Sequence, residues 1–84
     1  MKPKTYTINI TEQDIKRGQP KVACACPIAL AAKRASGKSF VHAGPSEIII
    51  GQKRGATPLP AMDFMLYFDT GRKVLPFEFQ LTVQ

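Results

Sequence analysis

VACACPIALAAKR, Val22 to Arg34, carries both cysteines of the chain, one residue apart, just before a proline and an alanine-rich run. Metal ligands, a redox pair or the start of a helix are the three readings, and the choice decides how the first half of the chain folds. A zinc site needs about four ligands of suitable type, with thiolates usually paired two to four residues apart. Here the spacing is C-x-C, His42 is the single histidine, and no second cysteine pair follows. A zinc centre would have to combine Cys24, Cys26 and His42 with a borrowed carboxylate, so the ligand count fails. The redox motif C-x-x-C is absent, and a bridge between residues so close in sequence would be badly strained. What remains is a helix start. Pro27 suits a first helical turn, with Cys26 beside the N-cap and Cys24 expected to pack inward as a small hydrophobe. The helix dipole would then favour the Cys26 thiolate and make that thiol mildly reactive.

From this helix the rest of the pattern can be read outward. Ile28, Ala31, Ala32 and Ala35 recur at helical spacing, and Gly37 stands where a C-cap glycine belongs. Upstream, Lys4 to Ile10 alternates, placing Tyr6, Ile8 and Ile10 on one face of a strand and Thr5, Thr7 and Asn9 on the other. Thr11 with Asp14 three residues on forms a capping box for a short helical turn, stopped by Gly18 and Pro20. Downstream, SFVHAGPSEIIIG predicts two short strands around a turn at Gly44-Pro45. Pro58 or Pro60 opens a third helix running to about Thr70 and closed by Gly71. PFEFQLTV then alternates, with Phe77, Phe79, Leu81 and Val83 inward and Glu78, Gln80 and Thr82 outward. The order predicts an α+β fold, a split βαβ (ferredoxin-like) sandwich. Its four-stranded antiparallel sheet would carry two main helices on one face. Residues 1–84 read as a single domain, with no internal repeat and no linker.

Composition narrows the function classes. A chain of 84 residues buries a thin core. No apolar run reaches the length needed to cross a membrane, and MKPKTYT lacks the apolar segment of a signal peptide, so a cytoplasmic location is expected. SGKS, Ser36 to Ser39, fails as a phosphate-binding loop because Ala32 stands where a glycine is required. GKSFVHA matches an RNA-recognition strand only at Gly37, Phe40 and Val41, without the stacking aromatics. Catalysis has little to work with. His42 could act only with a partner supplied by the fold, such as Glu47 across the hairpin, and no close Ser/His/Asp set exists. No catalytic residue, metal or cofactor is therefore expected. Met62, Phe64, Met65, Leu66 and Phe68 read as core, or as an adaptable partner-binding face.

The net charge of +6 permits an acidic partner without proving one, so the placement of the basic residues matters more than their number. Lys16-Arg17, Lys33-Arg34 and Arg72-Lys73 fall at or just after helix C-termini, where cations offset the helix dipole. Lys53-Arg54 has no such explanation and reads as a loop between Gly51 and Gly55, outside the core. In the predicted topology Lys2, Lys4, Lys33, Arg34, Lys38, Lys53 and Arg54 gather at one pole, with at most Asp63 nearby. Glu12, Asp14, Glu47, Asp69 and Glu78 fall toward the other. Such a layout steers an anionic partner to the basic end.

Two segments, CPIALA (Cys26 to Ala31) and FDTGRKVLPFEFQL (Phe68 to Leu81), resemble small uncharacterised proteins encoded by tailed phages and prophages. These residues are mostly core and turn positions, and the family offers no catalytic or binding residues to carry over. The resemblance implies a shared fold and an accessory role in the cytoplasm of an infected host cell. Two functions compete. The first is binding of nucleic acid or a nucleoprotein complex through the basic pole, centred on Lys53 and Arg54. The second is an inhibitor or adaptor that binds a host protein, an acidic one if charge guides it, through a sheet edge or a helix face. The edge strand Ser39 to Ala43 could also pair with a second copy.

Overall fold

The structure, a computed structural model, describes residues 2–84. Along the chain run β1 (Lys4–Ile10), α1 (Glu12–Arg17), α2 (Pro27–Ser36), β2 (Val41–Ala43), β3 (Glu47–Ile50), β4 (Lys53–Ala56), α3 (Leu59–Asp69) and β5 (Phe77–Val83). The α+β class and most of the element boundaries follow the sequence pattern. The capping box forms as read: the Thr11 hydroxyl accepts from the Asp14 N–H, and the Asp14 carboxylate accepts from the Thr11 N–H. Pro27 opens α2, and Gly37 closes it in the left-handed conformation, φ 73°.

The sheet is not the single four-stranded one expected. β1 pairs only with β5, antiparallel, from Lys4↔Val83 to Ile10↔Phe77, while β2, β3 and β4 form a separate three-stranded sheet in that order. The cause lies in residues 51–56. Ile50 pairs with Lys53, leaving Gly51-Gln52 as a two-residue turn, and Gly51 takes the positive φ of 64° that its first position requires. Lys53–Ala56 therefore folds back as a third strand along β3, where a loop was expected. It occupies the edge of β3 that a split βαβ sandwich offers to its first strand. The two sheets are joined where Arg54 and Gln84 exchange both backbone hydrogen bonds, at 3.2 and 3.0 Å. Gly55 crosses so close to this joint that a Cβ there would land on the Thr82 carbonyl oxygen.

Burial follows the alternation. Ile8, Ile10, Phe79, Leu81 and Val83 pack inward from β1 and β5, and Val41, Ile48 and Ile50 from the three-stranded sheet. Ile28, Ala29, Ala31 and Ala32 cover them from α2, the small residues letting the helix sit close. Ala35, expected inward, is exposed and Ala29 takes its place in the buried stripe. From α3, Ala61, Phe64 and Met65 enter the core. Phe64 stands between Phe68 and Phe77, with ring centroids 6.1 and 5.2 Å away, and Phe77 continues the row to Phe79 at 5.6 Å. Thr5, Thr7, Asn9, Gln80 and Thr82 line the solvent face, joined by Thr5–Thr82 and Thr7–Gln80 side-chain hydrogen bonds. No helix among the described residues is long and apolar enough to cross a membrane.

Candidate nucleic-acid interface

The seven basic residues singled out by the sequence divide into two groups. One group lies around the joint between the sheets. Lys4 is opposite Val83, and Lys2 lies two residues before it, exposed. The next residue of β5's chain, Gln84, is bonded to Arg54, whose neighbour Lys53 is opposite Ile50 at the tip of the β3–β4 hairpin. The Lys38 stem lies over Gly51 in that same tip. Three segments distant in sequence, two of them linked through the C-terminal end of β5, thus bring Lys2, Lys4, Lys38, Lys53 and Arg54 to one end of the molecule.

Lys33 and Arg34 belong elsewhere. Arg34 donates to both carboxylate oxygens of Asp14 at 2.9 and 2.8 Å, and to the Asn9 carbonyl at 2.8 Å. Asn9 lies near the far end of β1, five strand residues or about 17 Å from Lys4. Burial of Asp14 opposes its charge, but the Arg34 guanidinium and the Thr11 N–H and hydroxyl outweigh that effect. They hold the carboxyl below its ordinary value. Arg34 is correspondingly raised by its bonds to Asp14. Its charge is answered inside the molecule, among residues assigned to the opposite pole. Lys33 turns back to the Cys24 carbonyl at 2.8 Å, spanning the loop that enters α2.

The Lys53-Arg54 pair is also changed by being a strand. Successive strand residues point to opposite faces. Lys53 falls on the face of Ile48 and Ile50, half-buried at the core's margin, while Arg54 points outward with Ile49 and Glu47. Glu47, expected at the acidic pole, lies 3.5 Å from the Arg54 guanidinium. Both groups are well exposed, so this pair is weak and leaves Arg54 available. Lys4 shares the inner-face side with Lys53, its ammonium 5.2 Å from the centre of the Tyr6 ring. The basic end is therefore a rim of ammonium groups around the core's margin, with Arg54 on the outer face.

The cysteines differ from one another. Cys26 is the N-cap residue of α2 and is buried, whereas Cys24, expected inward, is exposed. Burial pushes the Cys26 thiol up, against the pull of the α2 N–H groups, which reverses the expected mild reactivity. Desolvation wins over the helix dipole here. Among the described residues no three His, Cys, Asp or Glu side chains gather as metal ligands.

Sequence reasoning did not anticipate the apolar hollow of about 510 Å³ between α3 and the loop that leads into α2. Met62, Leu66 and Asp69 form the helix wall, and Val22 and His42 lie across from them. The Lys21 N–H donates to an Asp69 carboxylate oxygen at 2.9 Å and ties loop to helix at the rim. Asp63, expected beside the basic end, borders this hollow instead. No protein-family model matches the chain, and no curated protein or solved structure shows significant similarity to it.

Proposed function

We propose that the protein is a non-enzymatic binding module that engages the phosphate backbone of nucleic acid through its basic end. Lys4, Lys38 and Lys53 form the contact rim, with Lys2 and Arg54 beside it. The observation that carries the reading is the convergence of five cations from three separate segments on one end of a chain of net charge +6. Two of the seven cations first assigned to the site, Lys33 and Arg34, are taken up in internal bonds and are left out of it. The contacts are to phosphate and carry no base readout, because the exposed sheet face offers threonines, Asn9 and Gln80 in place of stacking aromatics.

The test is binding to mixed-sequence single- and double-stranded oligonucleotides over a salt series. Neutralising n phosphates gives a slope of log affinity against log salt of roughly −0.7n to −0.9n. Reversing Lys4, Lys38 and Lys53 together to glutamate removes about three contacts and should flatten that slope by about two to three. Reversing Lys16 and Arg17, at the end of α1 beyond the far end of β1, should leave slope and affinity nearly unchanged. Equal losses from both sets would mean a diffuse charge effect without a site. An affinity indifferent to salt would refute the reading outright.

A further inference from the structure

We propose that the basic end takes single-stranded nucleic acid, with the Phe40 ring stacking against an unpaired base. This rests on the phosphate-binding reading above and names the kind of strand that the site selects. Phe40 is a large apolar side chain left 51% exposed beside the fully buried Val41. Alternation sets its direction: Val41 faces the core, so Phe40 is turned away from it. A lone exposed phenylalanine is ordinary on a protein surface. The position of this one is not. Its C=O accepts from the Gly51 N–H at 2.9 Å, which fixes it at the tip of the β3–β4 hairpin. Lys38, two residues before it, runs its stem over Gly51, and Lys53 follows two residues after Gly51. The ring therefore stands among the cations of the contact rim, opposite a residue with no side chain to cover it.

Tyr6, at the same end, is half-buried and has the Lys4 ammonium over its ring. Phe40 is free of such partners: among the described residues no cation and no second ring lies against it. The site thus has the two parts that a single strand needs, cations for the backbone and an aromatic face for a base. In a duplex every base is covered on both sides by its neighbours, so only an unpaired strand offers a face to Phe40. Two strand spacings, about 10 Å, separate β2 from β4. Phosphates on either side of a stacked base then fall within reach of the long Lys38 and Lys53 side chains. Stacking accepts any base, so the site gains strand selectivity without sequence readout.

The experiment compares one mixed-sequence oligonucleotide as a single strand, as a duplex and as an abasic chain of the same length. The wild type is expected to prefer the single strand. Phe40→Leu keeps an apolar side chain but removes the aromatic face. It should lose about 5- to 100-fold in single-strand affinity, with duplex affinity, salt slope and circular dichroism spectrum unchanged. The chain has no tryptophan, so Phe40→Trp supplies a single fluorescent reporter. The introduced indole should be quenched by the single strand and not by the duplex or the abasic chain. A Phe40→Leu variant that binds the single strand like the wild type, with its salt slope intact, would overturn stacking and leave the phosphate reading in place. So would equal losses on single strand and duplex, or an unquenched indole. Binding without a salt slope would refute the phosphate reading and this proposal with it.

Discussion

Replacing Asp14 with alanine would test the best-connected polar group in the molecule. Its carboxylate accepts from the Thr11 N–H and hydroxyl and from both arms of the Arg34 guanidinium, and the residue is only 4% exposed. Loss of half the capping box costs about 1 kcal/mol. Loss of the charge-assisted bonds to Arg34 adds about 1–2 kcal/mol, kept low because that guanidinium is half in water. The total of about 2–3 kcal/mol should lower the midpoint of thermal unfolding by roughly 10–20 °C for a chain of this size. Arg34→Ala should cost less, since Asp14 keeps its Thr11 partners. The two losses should be less than additive in the double variant, as expected of groups that share one contact.

The pH dependence has a defined sign. The Asp14 pKa is lowered in the folded protein, so its contribution is fully present above the unfolded value near 4. It is lost as pH falls through the folded value. Thermal melts of the wild type and Asp14→Asn should therefore differ most at pH 6–7 and converge toward pH 2. A loss below about 0.5 kcal/mol at pH 7, or a gap that stays constant down to pH 2, would refute the account.

Gly55→Ala should destabilise the protein by about 1–3 kcal/mol, because the atom it meets is the Thr82 backbone oxygen and cannot swing aside. Hydrogen exchange at Arg54 and Gln84 should accelerate with it, and a wild-type denaturation midpoint would show that the sheets do not cross there. A thiol reagent at pH 8 should modify Cys24 rapidly and Cys26 only on unfolding, since one is exposed and the other is buried with a raised pKa. Two equally fast thiols would contradict the placement of Cys26.

Much of the fold was legible because local chemistry and burial point the same way. Thr11 and Asp14 name a helix start, Gly37 names its successor's end, and the alternation of β1 and β5 sorts Ile8 and Phe79 from Thr7 and Gln80. What was missed depended on partners distant in sequence. Lys53–Ala56 has no β-branched or aromatic residue, so propensity gives it no strand character. It becomes a strand because Gly51-Gln52 returns it to the three consecutive isoleucines of β3 and Gln84 takes up Arg54. The signal present in the sequence was the glycine-first turn directly after that isoleucine run. Cys24 and Cys26 were exchanged in burial for a related reason. Helix geometry fixes which residue caps α2, but only the packing of the preceding loop decides which thiol faces the core.

That one strand also sets where the basic residues point. As a loop, Lys53 and Arg54 would act together as paired contacts on one surface. As a strand, they are divided between the two faces of the sheet, and only Lys53 shares the core margin with Lys4 and the Gly51 turn that Lys38 covers. The same strand takes the free edge of β3, so β1 is left beside β5 alone, and Asn9 at its far end and Asp14 in the α1 that follows meet Arg34. A dyad explained by the helix dipole thus turned out to hold an internal ion pair, while the unexplained dyad supplies one cation to each face. Sequence position alone could rank the dyads but not divide them, because the division depends on strand parity, which exists only once β4 has formed. Single reversals should therefore separate Lys53 from Arg54 in phosphate binding, Lys53→Glu costing more than Arg54→Glu. Equal losses in the same salt series would return both residues to one contact surface and argue against β4 as an ordered strand.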